Sequence, residues 1–320
     1  MSVAEIRIDE LNPDDFIARQ VEVISQTVGD GLAINALSGG VDSSVVTMLG
    51  HQALGDRLLT YFVDNGIMRQ GEPERIVNTF RNLGVPVKVV DARKEFFDAL
   101  RGVTDPEGKR EAITTTFYRT VFGHLVKESG ARHLLQGTIL TDIEETVAGV
   151  KRQHNILSQL GIDTEEVYGY KVIEPLIQLR KPAVRMVARS LGLPEEIANR
   201  PPFPGPALAA RVIGEVTPER VAIVRAATAI VEEELNSSGA FQYLAILHED
   251  RVTGLRDNRR DYGFQIEVRC WDSEDARTAR PTRLPYDVLE RLARRIGDIS
   301  GVVSVTYNIT SKPPSTIEAV

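Results

Sequence analysis

Between Leu32 and Leu191 short, β-branched apolar runs alternate with stretches of helical spacing, and no other feature of the sequence narrows the fold as much. The runs are Leu32–Leu37, Leu58–Val63, Pro86–Val90 and His133–Gln136, and the helical stretches lie near Ser43–Leu54, Pro73–Leu83 and Lys109–Lys127. Strands that are apolar on both faces need cover on both, and a helix between successive strands returns the chain parallel. The pattern therefore predicts an α/β domain built on a doubly wound parallel sheet.

Beyond Leu191 the pattern changes. Arg200-Pro-Pro-Phe-Pro-Gly-Pro206 carries four prolines in seven residues, which neither a helix nor a central strand accepts, so it predicts a linker. Thr217 is then an N-cap for a helix from Pro218 to Leu235, with Pro218 at the first helical position. Strands are expected at Tyr243–Leu247 and Tyr262–Trp271, a helix near Tyr286–Ile296 and a last strand at Val303–Ile309. This half reads as a smaller α+β domain with a mostly antiparallel sheet. The 320 residues are about twice the roughly 150-residue domain prior, in keeping with two domains, 1–199 and 200–320.

Thirty-eight Lys and Arg against 45 Asp and Glu give a net charge of −7, which argues against a broad grip on nucleic acid. No run approaches the roughly 18 to 20 apolar residues of a membrane helix, and the first residues lack the pattern of a signal peptide, so no membrane partner and a cytoplasmic location are expected. The single cysteine, Cys270, excludes an internal disulfide, a Cys-x-x-Cys redox pair and a zinc cluster. In Phe264-Gln-Ile-Glu-Val-Arg-Cys270 every second residue is apolar, which places the thiol on the buried face of a strand.

Ala36-Leu-Ser-Gly-Gly-Val-Asp-Ser-Ser44 stands where a buried strand ends and a helix begins. Gly39 and Gly40 let the backbone turn tightly, so that successive N–H groups aim at one set of oxygens. The hydroxyls of Ser38, Ser43 and Ser44 add donors, and the helix that follows presents its positive end. The simpler reading is a strand–turn–helix corner capped by Asp42 or Ser43. The lysine of a Gly-x-x-x-x-Gly-Lys-Ser/Thr loop is absent, which excludes the phosphate loop of motor proteins and small GTPases.

The complete string Ser-Gly-Gly-Val-Asp-Ser resembles the pyrophosphate loop of the N-type ATP pyrophosphatases, whose fold is adenine nucleotide α-hydrolase-like. Within that superfamily the chain resembles the ATP-pyrophosphatase portion of GMP synthase from about Asp15 to Glu318. The resemblance is carried by Leu37–Ser44, Val63-Asp-Asn-Gly66, Asp105–Arg110, Gly137-Thr138 with Asp142 and Glu145, and Lys151 with His154-Asn155. In the second half it is carried by Glu174-Pro-Leu176, Pro202–Pro206, Gly214–Arg220, Leu284-Pro-Tyr286 and Thr310–Glu318.

This resemblance implies an enzyme that uses ATP and Mg²⁺, with the phosphates on Ser38, Gly39, Gly40, Val41, Asp42, Ser43 and Ser44 and the adenosine near Val63 and Gly137. Asp42 is implied as the metal-holding carboxylate. Between about 138 and 170 it implies a lid in which Asp142, Glu145, Lys151 and His154 close over the ligands, with Lys151 stabilising the phosphoryl group in flight. Xanthosine monophosphate (XMP) is implied at Arg200, Pro204, Gly205, Gln242, Lys312, Thr316, Ile317 and Glu318. The second domain is implied to build a homodimer. Without the resemblance, Lys312–Val320 would read as a frayed polar terminus.

The glutaminase half of fused enzymes is absent, so ammonia is expected from solution or from a separate glutamine amidotransferase subunit. Several positions depart from the usual pattern: Gln153 for a His, Pro201 and Ala207 around the proline-rich segment, Asp257–Arg260 at a turn, and Pro182-Ala183 after Lys181. They leave open a paralogous adenylating ligase for another nucleotide-like substrate, or a nucleotide-binding subunit without catalysis.

Overall fold

The computed structural model describes residues 3–147, 170–200, 203–256, 258–274 and 276–319. Their contacts divide the chain into two units, Met1–Val63 with Pro73–Asp91 and Phe117–Arg200, and Asp64–Glu72 with Ala92–Thr116 and Pro201–Val320.

In the first unit β1 (Ala33–Ala36), β2 (Leu58–Asp64), β3 (Val87–Asp91), β4 (His133–Leu135) and β5 (Lys171–Ile173) form a five-stranded sheet in the order β3-β2-β1-β4-β5. β1 pairs in parallel with β2 and β4, and β4 with β5. The expected parallel α/β sheet is borne out. Helices α1 (Pro13–Val28) and α2 (Val41–Leu54) pack on each other. α2 is buried on nearly all sides, through Val45, Val46, Thr47, Met48 and Leu49. A helix so apolar is stable only inside a domain. Beneath it the Asn35 amide of β1 is satisfied twice, donating to Thr47 Oγ1 (2.6 Å) and accepting from Thr60 Oγ1 (2.8 Å), so strand, neighbouring strand and helix are tied together.

The helix expected over Lys109–Lys127 is not continuous. α4 (Arg93–Leu100) and α5 (Pro106–Thr115) precede a wider, π-type turn at Thr116–Phe122, and α6 (Gly123–Ser129) follows. Thr114, Thr115 and Thr116 are three β-branched residues in a row, which crowd a regular helix. Phe117 and Phe122 stack across the widened turn with centroids 5.7 Å apart. α3 (Glu72–Asn82), α7 (Leu140–Val147) and α8 (Lys181–Ser190) lie elsewhere along the chain; α8 buries Ala183, Val184, Val187 and Ala188 and packs on α2.

In the second unit β6 (Gln242–Arg256) and β7 (Arg259–Asp272) form an antiparallel hairpin longer than the sequence suggests. β8 (Arg280–Pro281) adds antiparallel to β7, and β9 (Val302–Tyr307) pairs with β7 in parallel. Following the short α9 (Glu195–Ala198), α10 (Pro218–Leu235) packs on β6 and α11 (Tyr286–Gly297) on β9. Thr217 Oγ1 caps α10 by accepting from Arg220 N at 3.3 Å, as its sequence predicts. β9 stops at Tyr307, so Ile309, expected in the strand, is exposed.

The proline-rich segment leads into Ala207–Arg211, which is a buried 3₁₀ turn and not a free linker. Ile213 N donates to Leu247 O at 2.8 Å, which adds the segment to the edge of β6. Among the described residues no helix is long and apolar enough to cross a membrane.

Candidate active site

The carboxyl end of β1 gives its last ladder bond through Leu37 N to Tyr61 O (2.8 Å), and the chain then turns through Ser38–Gly40 into α2. Gly39 has a φ of +78°, and a Cβ there would lie 2.0 Å from Ile76 Cδ1, so both conformation and space call for glycine. Ser43 Oγ organises the turn: it accepts from Ser38 N (3.2 Å), donates to Gly40 O (3.0 Å) and lies 2.9 Å from Ser38 Oγ. Arg200 Nη1 donates to Gly39 O at 2.7 Å from outside the loop. The first N–H groups of α2 have no intrahelical acceptor and carry the positive end of its dipole. Ser44 is fully buried and its N–H is spent on Gly40 O, while its hydroxyl has no hydrogen-bond partner among the described residues.

Asp42 lies in the first turn of α2. Lys181, the first residue of α8, places Nζ 2.5 Å from Asp42 Oδ2, whereas Oδ1 is buried with no hydrogen-bond partner among the described residues. Burial raises the carboxyl pKa and nearby Asp142 adds to the rise, against the opposing pull of Lys181 and Arg185. Asp142 lies in the first turn of α7 and accepts from Ile139 N at 3.0 Å through Oδ2. Gly137 follows β4 and touches the loop backbone, since a Cβ there would come 3.1 Å from Asp42 C and 3.2 Å from Ser43 N. Val63 is buried at the end of β2. With β1 between β2 and β4, the carboxyl ends of three parallel strands meet where the strand order changes direction, the usual ligand position of an open α/β sheet. The Glu145 side chain, Lys151 and His154 lie outside the described residues.

The second unit gathers the tail. Ile317 and Ala319 pack on Leu244, Ile246, Trp271 and Ala279, so the terminus is not frayed. Arg269 Nη1 donates to Thr316 O (2.8 Å), and Trp271 Nε1 to Ile317 O (3.3 Å). Glu318 accepts from Arg211 Nε (3.1 Å), Arg211 Nη2 (3.0 Å) and Gln242 Nε2 (2.8 Å). Thr316 Oγ1 donates to Glu318 O at 2.5 Å. Lys312 Nζ donates to Ala276 O at 2.6 Å and lines an open cavity of about 830 Å³ with Asp272, Ser273, Glu274, Thr278 and Arg280. Pro204 O accepts from Ala207 N (2.8 Å), and nothing lies within 4 Å of a Cβ at Gly205.

The GMP synthase C terminal domain profile matches residues 229–319, and the NAD synthase profile matches 15–205. The B subunit of the glutamine-hydrolyzing GMP synthase of Archaeoglobus fulgidus is 50% identical over 310 residues, covering 96% of this chain and 99% of that one. The chain belongs to this GMP synthase family. The proteins of the same name from Thermococcus kodakarensis and Pyrococcus furiosus are 49% and 48% identical over 309 residues, each covering 95% of this chain and 99% and 97% of theirs. The resemblance read from the motifs is borne out, and the chain is an ATP-dependent ligase of this family.

Seen within the family, the structure gathers Ser38–Ser44, Val63, Gly137, Asp142 and Arg200 in the first unit, and Pro204, Gly205, Gln242, Lys312, Thr316, Ile317 and Glu318 in the second. Arg200, expected on the nucleotide substrate, holds the phosphate loop through Gly39 O. Ile317 is a core anchor and Gln242 a buried donor to Glu318. Ala207 adopts a φ of +51° where the usual pattern carries Gly, so this departure retains a backbone that glycine suits better. Lys181, Arg211 and Arg269 were not singled out by their sequence context. Lys181 had one signal: it begins a Lys-x-x-x-Arg stretch, Lys181–Arg185, in a unit whose phosphate loop has no lysine of its own.

Proposed function

We propose that this chain adenylates XMP with ATP and aminates it with ammonia, giving GMP, AMP and pyrophosphate. O2 of the xanthine base attacks the α phosphorus, and the α–β bridging oxygen leaves with pyrophosphate. Ammonia then adds at C2, loses protons to solvent, and AMP departs with the former base oxygen. An oxygen carried on AMP is a competent leaving group at neutral pH, which a bare amide oxygen is not. The N–H groups at the start of α2, with Ser38 and Ser43 fixing the turn, receive the phosphates. Lys181 supplies the cation that the loop lacks.

The observation that carries this reading is the Asp42 carboxylate, with one oxygen on Lys181 and the other buried and without a hydrogen-bond partner among the described residues, in the first turn after an anion-binding loop. That orphaned oxygen fits Mg²⁺. No group of three or more His, Cys, Asp or Glu side chains among the described residues could hold a metal without help, and Mg²⁺ ordinarily takes one or two carboxylates together with substrate phosphates. Bound there, it would neutralise charge on the pyrophosphate.

The nucleotide substrate is assigned to Pro204, Gly205 and the tail residues Lys312, Thr316 and Glu318, and closure over the ligands to the lid residues Glu145, Lys151 and His154. Ammonia comes from a separate glutamine amidotransferase subunit, in keeping with the relatives' names, which describe one subunit of a glutamine-hydrolyzing enzyme. The second unit pairs with its copy in a homodimer, and light scattering should give about twice the 35.4 kDa chain mass.

The deciding assay is incubation with ATP, Mg²⁺, ammonium and XMP. Equal amounts of AMP and GMP are expected. AMP formed without dependence on XMP would move the reading to a different acceptor, and no AMP at all would overturn it.

A further inference from the structure

Arg211 is 2% exposed, and a guanidinium so deeply buried is tolerated only when it is paired. Its partner is Glu318: Nε meets Oε2 at 3.1 Å and Nη2 meets Oε1 at 3.0 Å, the parallel two-bond fork that fixes a carboxylate plane as well as its charge. Nη1 is buried and has no partner among the described residues, so the group depends on Glu318 for its compensation. Phe203 lies under the guanidinium with its centroid 4.8 Å from Cζ, and Arg69 sits 4.0 Å from the same ring while paired with Glu232 at 3.1 Å. Each of the two stacked cations thus has its own carboxylate.

The backbone on either side is held independently. Lys109 Nζ donates to Val212 O at 2.6 Å, which fixes the residue after Arg211. The tail is held by Arg269 and Trp271 at its carbonyls and by Ile317 in the core. Arg211 is therefore not needed to keep the tail in place. What it adds is the orientation of one carboxylate. A carboxylate offers about four lone-pair sites; Arg211 and Gln242 occupy three, and the side chain remains partly open to solvent.

We propose that Arg211 is a positioning residue of the substrate site: its fork holds Glu318 in the one orientation that leaves a lone pair for an N–H group of the nucleotide's base. The proposal rests on the reading of the tail as the XMP site.

A double-mutant cycle on the full-length chain tests it, with the KM for XMP and the KM for ATP measured separately. Arg211→Ala and Glu318→Ala should each raise the XMP KM about ten- to hundredfold, the range of a hydrogen bond to a charged group, with the ATP KM unchanged. The double variant should be no worse than Glu318→Ala. Arg211→Lys, which keeps the charge and the buried stem but not the fork, should recover part of the loss, and it also reads the same geometry if Arg211→Ala does not fold. A loss from Arg211→Ala that persists undiminished in the Glu318→Ala background, or that falls equally on ATP, overturns the proposal. Loss with Glu318→Ala but none with either Arg211 variant overturns the proposal alone and leaves the tail as the substrate site. A wild-type XMP KM in Glu318→Ala removes the substrate reading and the proposal with it.

Discussion

Lys181 Nζ stands 2.5 Å from Asp42 Oδ2, so the first residue of one helix neutralises the second residue of another at the phosphate loop. Burial raises the Asp42 pKa and Lys181 opposes that rise. An aspartate with a raised pKa becomes protonated at higher pH than usual, so the acidic limb of turnover should lie above that of an ordinary aspartate. Lys181→Met removes the opposing cation and should move that limb to still higher pH, with a lower plateau. A pH profile of AMP formation identical to wild type would show that Lys181 does not tune Asp42.

Glu267 presents the opposite case. Burial pushes its pKa up, but hydrogen bonds from His248, Arg269 and Asn308 outweigh burial and bring it down to about 2. A depressed carboxyl contributes stability that is complete above its unfolded value and lost as pH falls through the folded one. From the ordinary 4.5 to about 2, the linked stabilisation is on the order of 3 kcal/mol, and it should disappear across that window. Urea titrations at pH 7 and pH 3 should show Glu267→Gln destabilised at pH 7 and much closer to wild type at pH 3. An equal gap at both values would mean that the carboxylate charge is not what stabilises this cluster.

The sheet of the first unit was legible because its strands are apolar on both faces, and the phosphate loop because the complete string Ser38-Gly-Gly-Val-Asp-Ser43 resembles that of the ATP pyrophosphatases, whereas Gly39 and Gly40 alone would suit a capped corner as well. The long hairpin was under-read. Residues beyond Leu247 are largely exposed and follow a register shift between Leu247 and Arg251, so neither burial nor alternation marks them. Arg211 was hidden for a related reason: four prolines just before it suggest a linker, whereas Ala207–Arg211 are buried by neighbours far away in sequence. Lys181 and Asp42, 139 residues apart, meet only because α2 and α8 pack together, which no local pattern encodes.

Gly137 tests how closely the loop is supported. A Cβ placed 3.1 Å from Asp42 C and 3.2 Å from Ser43 N meets backbone and not a yielding side-chain end. Gly137→Ala should therefore displace the loop and raise the ATP KM several-fold, at a stability cost of about 1 to 2 kcal/mol. Gly297→Ala is the control, because nothing lies within 4 Å of its Cβ at the end of α11 and it should leave ATP use unchanged. ATP kinetics and melting temperatures of the two variants decide the matter; equal ATP KM values would mean that the loop accommodates the methyl.

Cys270 is 1% exposed on β7, and burial pushes its thiol pKa up. Both effects suppress the thiolate, so the native protein should resist iodoacetamide at neutral pH and take up one equivalent only when unfolded. Mass spectrometry before and after denaturant reads this directly. Rapid native alkylation would place the thiol nearer the surface than β7 allows.

Lys312 offers the sharpest test of phosphate recognition at the tail. Its Nζ gives one hydrogen bond to Ala276 O, and an ammonium has three protons to give. It shares its cavity with Arg280, a second cation suited to a phosphate, and with Asp272 and Glu274, which penalise a poorly placed anion, while the Ser273 hydroxyl gives its proton to Thr278 O at 2.5 Å. If the ammonium holds the 5′-phosphate of the substrate, Lys312→Ala should raise the XMP KM about tenfold or more while barely altering the use of xanthosine, which has no phosphate. The preference for nucleotide over nucleoside would then collapse, and the salt dependence of the XMP KM would weaken with it. A variant that loses XMP and xanthosine turnover in equal proportion would instead identify Lys312 as a strap for the turn at Ala276, and the phosphate would have to be held elsewhere.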